Sequence, residues 1–235
     1  MSLKGGLFAC DEPMYWRLAL NAYWEVLEAK GKKKKDLVVL DKWYQEELPA
    51  AIAERKTRYL TREDLVKLMD WKLSRGKFRP RLQQLVATNS TESVESCTEK
   101  AFRLLPDVAA AITELSKLKA VGPATASAIL AAGAPEAVAF MADEAMESIP
   151  GLAPVQYTLK HYMLYLGKIQ SCVEKLNKAD AEKTWTPQHV EKCLWAWAVA
   201  EKLQLPLLQM LGTEKEKGVC GKEADGEPRQ KRKRK

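Results

Sequence analysis

Three short stretches hold the residues whose types and spacing suit chemistry. In 115–130, two helical patterns meet at a very short turn around Val121-Gly122-Pro123-Ala124-Thr125. Gly122 is expected to take a backbone conformation that is costly for nearly every other residue, and Pro123 has the fixed φ that suits the first position of a following helix. The free N–H groups from Val121 and Gly122 to Ala124 and Thr125 then face outward, where they can hold a phosphate oxygen with help from the helix dipole. Such a grip reads a phosphate backbone and not a base sequence. Twenty-one positions after Gly122 comes a carboxylate pair, Asp143 and Glu144, inside 138–146. Adjacent residues on a helix point in different directions, so Asp143 is the main candidate and Glu144 the weaker one. The structural alternative is that Asp143 only caps a helix running toward Ile149. The third stretch, 72–81, carries Lys72, Arg75, Lys77, Arg79 and Arg81 without an acid, interleaved with Phe78. Arg75, Lys77, Arg79 and Arg81 suit phosphate contacts, and the ring could stack on a base. The alternative is a solvated loop whose arginines pair with acids.

Other chemistries find little support. His161 and His189 are the only histidines, too few for a histidine metal cluster or for separate acid and base partners. Neither a G-x-x-x-x-G-K-[ST] phosphate loop nor a G-x-S-x-G nucleophile turn occurs. Thr125 and Ser127 read as small packing residues. The five cysteines form no C-x-x-C pair, which points away from a disulfide framework or a zinc site and toward a reducing compartment. No metal or other cofactor is expected. The chain lacks an apolar run of about 18 residues and a cleavable leader pattern, so neither membrane spanning nor secretion is supported.

The elements that must position these residues are helices. Apolar residues recur at helical spacing around Trp16 to Leu27, with Asp11 as a cap, and again over 38–48, with Pro49 opening a further helix. Thr61 and Asp64 have the spacing of a capping box, and Gly76 marks the end of the helix they begin. Further helices are predicted over 80–86, 91–105 and from Pro106-Asp107 onward, then over 157–176 and from Thr186-Pro187. The lysine run 32–35 reads as a solvated loop, and the seven tryptophans as packing residues. The expected fold class is therefore all-α, one compact helical domain over 1–211 with the hairpin near 115–130.

The formal charge of +7 resides mostly in the last seven residues, which hold six basic side chains. Without them the remainder carries only +1, a nearly neutral body. From 212 onward the composition lacks large apolar residues and is expected to form a disordered tail, 212–235. Arg229, Lys231, Arg232, Lys233, Arg234 and Lys235 form the kind of cluster read by nuclear import receptors; a merely solvating tail is the alternative.

The hairpin and the distant acid together resemble the helix-hairpin-helix DNA glycosylase superfamily, whose catalytic aspartate lies about twenty residues beyond the last hairpin glycine. More closely, the hairpin, Asp143-Glu144-Ala145 and the stretch 71–81 resemble the Amun family of nuclear proteins, which carry a glycosylase-like domain. The resemblance covers most of 42–151. It implies a compact glycosylase-like fold, nuclear localisation, backbone-directed DNA binding and, through Asp143, monofunctional hydrolysis of the N-glycosidic bond of a flipped base. Ala120 stands where the superfamily has its first hairpin glycine. Ala124 stands where bifunctional members have their nucleophilic lysine, so lyase chemistry is not implied. The iron–sulfur cysteine motif of some members is absent. The rival reading is a non-catalytic chromatin or regulatory protein, or an interaction scaffold, that retains the fold.

The tail reading predicts that deleting residues 229–235 moves a fluorescent fusion from nucleus to cytoplasm while helical content and thermal midpoint stay nearly unchanged. Undiminished nuclear accumulation would remove the import role.

Overall fold

A computed structural model describes residues 5–32, 34 and 36–205. The predicted tail 212–235, with Arg229, Lys231, Arg232, Lys233, Arg234 and Lys235, lies outside the described residues. Among those described, the structure is helical and contains no strand. After a 3-10 turn at Leu7–Ala9 come α1 (Pro13–Asn21), α2 (Tyr23–Gly31), α3 (Leu37–Lys42), α4 (Leu48–Glu54), α5 (Arg62–Arg75) and α6 (Pro80–Val86). They are followed by α7 (Thr91–Leu104), α8 (Val108–Leu115), α9 (Pro123–Gly133), α10 (Asp143–Glu147), α11 (Leu159–Ala179) and α12 (Pro187–Leu203). No described helix is long and apolar enough to cross a membrane.

Local signals account for many helix starts. Thr61 and Asp64 form a reciprocal capping box at α5, and Thr186 accepts the His189 N–H above Pro187 at α12. Gly76 closes α5. Asp11 does not cap α1; the residue before that helix is Glu12, with no side-chain cap bond. Pro49 stands in the first turn of α4, as expected, although no loop separates that helix from α3. A π-helical turn, Trp43–Glu47, joins α3 to α4 without a break. The wider turn makes room for the proline ring, which would otherwise press on a carbonyl one turn earlier.

Helix α12 is the axis of the packing. Its residues 193–200 are buried consecutively, hence on every side, with α1, α2, α10 and α11 around it. Six of the seven tryptophans are buried packing residues. Helix α9 is likewise buried from Ala124 to Ala132, and its alanines, Thr125 and Ser127 allow neighbouring helices α4, α5 and α8 to come close. At its end a Cβ on Gly133 would stand 2.5 Å from the Phe102 ring, so the two helices meet there only because the side chain is missing.

The junction of the two packed groups is ionic. Arg75, at the end of α5 and 1% exposed, donates from both terminal nitrogens to Glu191 of α12, at 2.7 and 3.2 Å. Its Nε lies 3.8 Å from Asp41 Oδ1 of α3, and its guanidinium sits 4.4 Å from the Trp195 ring centre. Asp41 accepts from Tyr23 Oη at 2.9 Å and Trp71 Nε1 at 2.7 Å. Burial pushes the Glu191 carboxyl upward against the pull of the adjacent guanidinium. The expectation that Arg75 belongs to a phosphate-facing surface is therefore overturned, because its charge is engaged inside the core.

Arg75→Met is expected to destabilise the protein by about 3–5 kcal/mol, since it leaves Glu191 and Asp41 buried without their cation. Urea unfolding measures this. A change below about 1 kcal/mol would show that the pair does not hold α5 to α12.

Candidate functional site

The expected short turn of the hairpin is a seven-residue connection, 116–122, between α8 and α9, built from successive tight turns. Within it the strained residue is not Gly122. Gly122 has φ −107° and ψ −174°, extended backbone open to any residue. Ala120 carries the left-handed conformation, with φ +64°. Gly122 contributes instead by omission, since a Cβ built there would meet nothing within 4 Å and would project into open space beside the start of α9. Pro123 occupies the first turn of α9, as its fixed φ suggests.

That helix start forms one wall of a cleft of about 220 Å³. Phe140, Leu73 and Trp195 give it an apolar base, while Lys72, Lys77 and Arg79 lie on the α5 side and Asp143, Glu144 and Tyr157 face them. The volume is below the roughly 300–1,000 Å³ of sites for drug-sized ligands and suits one flat ring system. Gly122, Ala124 and Thr125 line the cleft; Val121 is buried and does not. Arg81 is exposed on α6, outside the lining, and Phe78 is 73% exposed on the loop between Lys77 and Arg79.

Asp143 owes its position to the segment before it. Residues 138–142 are buried, and three side-chain hydrogen bonds pin them. Ser127 Oγ on α9 accepts from the Met141 N–H at 2.9 Å, and from α11 Tyr162 and Tyr165 donate to the Ala139 and Phe140 carbonyls, both at 3.0 Å. Ser127 thus ties the acid-bearing segment to the hairpin helix, beyond the packing role its size suggests. Asp143 opens α10 but makes no side-chain cap bond, so the capping alternative does not describe it. Its carboxylate receives Tyr157 Oη at 2.7 Å and Lys77 Nζ at 2.9 Å. The aspartate is 15% exposed and Lys77 64%, which places the pair at a wet rim where its energy is small.

Glu144 faces another partner, Lys30 Nζ of α2, at 2.9 Å. Burial pushes the Glu144 carboxyl up, but the Lys30 ammonium outweighs it and holds the group below the usual range. Lys34, from the lysine run expected to be solvated, donates to the Ser74 and Gly76 carbonyls at 2.6 and 2.8 Å and so fixes the end of α5. Arg79 lies over the Tyr157 ring, 5.3 Å from its centre. Lys72 is half-buried in the cleft wall, and burial pushes its amine down to about 8, with Arg79 lowering it further and Asp143 raising it. Tyr157, Lys30 and Ser127 escape a sequence reading because nothing local marks their partners; Lys72 is visible as a basic residue but not as a cleft residue. Compared with protein-family models, curated proteins and solved structures, the chain gives no match.

Replacing Ala120 by Gly removes the left-handed penalty on a side chain and adds back some unfolded-state freedom, a net stabilisation of about 0.5–1 kcal/mol. A thermal midpoint at or below that of the parent would contradict the strain assigned to Ala120.

Proposed function

We propose that the cleft receives a nucleotide of a DNA strand, and that the chain is a nuclear DNA-binding protein with a helix-hairpin-helix, glycosylase-like fold of the Amun type. The observation that carries this reading is the convergence of three features in one small cleft: the start of α9, the Asp143 carboxylate, and the cations Lys72, Lys77 and Arg79. The cations and the N–H groups of α9 suit phosphates, while Phe140 and Trp195 offer the apolar surface a flipped base needs. Arg81 and Phe78 extend this face along the strand. Nuclear import receptors, acting on the basic tail, and chromatin proteins are the partners that accompany this role.

In this reading Asp143 acts on the sugar. Departure of a base leaves positive charge at the anomeric carbon, and a carboxylate beside it stabilises that charge and orients water. Tyr157 holds the carboxylate in place. Lys77, exposed and flexible, exchanges Asp143 for a strand phosphate, which leaves the carboxylate available. A second, non-catalytic reading is favoured by the same contact: in the free protein Lys77 and Tyr157 already engage Asp143.

Two measurements on the full chain separate these readings. Replacing Lys77, Arg79 and Arg81 by Gln is expected to weaken duplex binding and to reduce the slope of log affinity against log salt by about one for each phosphate no longer neutralised. Asp143→Asn is expected to cut release of free base from a responsive lesion about 100-fold or more, with binding retained. Binding without base release by the parent across a broad lesion panel would select the non-catalytic reading, and unchanged binding by the triple variant would discard the surface.

A further inference from the structure

Lys72 and Lys77 line the cleft, Lys30 and Lys34 hold residues of its wall, and three of these four amines have partners. Lys30 pairs with Glu144, Lys34 with two carbonyls at the end of α5, and Lys77 with Asp143. Lys72 is the exception among the described residues, making neither an ion pair nor a hydrogen bond. It projects from α5, a helix whose end is anchored in the core through Arg75, and it is half-buried against the same apolar base that Phe140 and Trp195 provide. Asp143, the carboxylate that faces it, has its oxygens taken by Lys77 and Tyr157. A cation placed in this way is poorly stabilised, whereas a neutral amine loses far less by it.

We infer that Lys72 is an amine nucleophile, and that its substrate is the open-chain aldehyde of an abasic deoxyribose in a DNA strand. The nucleic-acid part of this inference rests on the function proposed above; the nucleophile does not. A lysine stripped of water in an apolar site is activated for imine chemistry. With its amine near 8, roughly a tenth of Lys72 is neutral at pH 7, against less than one in a thousand for an ordinary lysine. The charged groups around it are Arg79 and Lys77 on the loop after α5, Arg75 beneath, and Asp143, Glu144 and Tyr157 opposite. The aldehyde belongs to a strand because Lys77, Arg79 and the N–H groups of α9 surround the amine with sites for phosphates on both sides.

The step balances without a further reagent. The neutral Nζ of Lys72 adds to the aldehyde carbon; a C–N bond forms as the carbonyl π bond breaks, and a proton passes from the nitrogen to the oxygen through water to give a carbinolamine. Loss of that oxygen as water, with a second proton, leaves an iminium ion joining Lys72 to the sugar. The amine comes from α5, across the cleft from Gly122, Ala124 and Thr125 at the start of α9.

The full chain is incubated with an oligonucleotide carrying one abasic site and treated with borohydride, which reduces an iminium to a stable amine. In parallel, it is treated with propionaldehyde and cyanoborohydride, and both products are mapped by peptide mass spectrometry. Lys72 is expected to be the residue joined to the strand, and to be alkylated by propionaldehyde at pH 7 about tenfold or more faster than exposed Lys160. Its alkylation should level off above pH 8 while that of exposed lysines continues to rise. Lys72→Arg keeps the positive charge and is expected to lose the adduct while its helical content and thermal midpoint stay those of the parent. An adduct on other amines only, or an undiminished adduct in Lys72→Arg, overturns the nucleophile. Propionaldehyde capture at Lys72 without capture of the abasic strand overturns the assigned substrate while the reactive amine stands, and loss of duplex binding by the same full chain would separately overturn the nucleic-acid reading.

Discussion

The bidentate contact between Arg75 and Glu191 is the constraint on which the rest of the structure depends. Removing two charges from water is unfavourable, and the attraction between them offsets this only with good geometry and satisfied neighbours. Here Asp41 adds a second carboxylate, itself held by Tyr23 and Trp71, and four aromatic rings surround the guanidinium. An apolar core tolerates small rotations of one helix on another, but this arrangement has one register. It fixes α5, and with it Lys72 and the loop bearing Lys77 and Arg79, relative to α12.

The opposite side of the cleft is set by hydrogen bonds to backbone. Ser127, Tyr162 and Tyr165 satisfy polar groups of a buried, non-helical segment that would otherwise lose its water without compensation. The same bonds determine where Asp143 emerges. Two supports of different chemistry, an ion pair beneath the cations and a set of hydroxyl contacts beneath the acid, therefore face each other across the cleft. Lys77, Arg79 and Tyr157 meet at the rim, where Lys77 is the most exposed of the contacts to Asp143.

How much of this is legible in the sequence depends on the range of the interaction responsible. The capping box at Thr61, the proline start at Pro187 and the stop at Gly76 are local, and a reading of neighbouring residues finds them. The all-helical class follows from apolar spacing in the same way. Arg75 reads as one more cation in a basic stretch because the glutamate that buries it lies 116 residues away. In the hairpin, residue type itself misleads. Gly122 suggests a left-handed turn, yet Ala120 adopts it and Gly122 is extended. Pro49 suggests a helix start and stands in the first turn of α4, but the π turn before it leaves no loop between α3 and α4.

Helix α12 is buried on all sides, and its partners include the first helices of the chain. Cys193 Sγ reaches the Trp16 carbonyl across 177 positions, and α1 and α2 pack along its length. Bringing such distant segments together costs loop-closure entropy before any packing compensates, which slows folding relative to helical bundles of neighbouring elements. During synthesis, α1, α2 and the Arg75 guanidinium must wait for the segment that completes them. Their apolar faces stay without cover until α12 has been synthesised, so this core closes only after Pro187–Leu203 has left the ribosome.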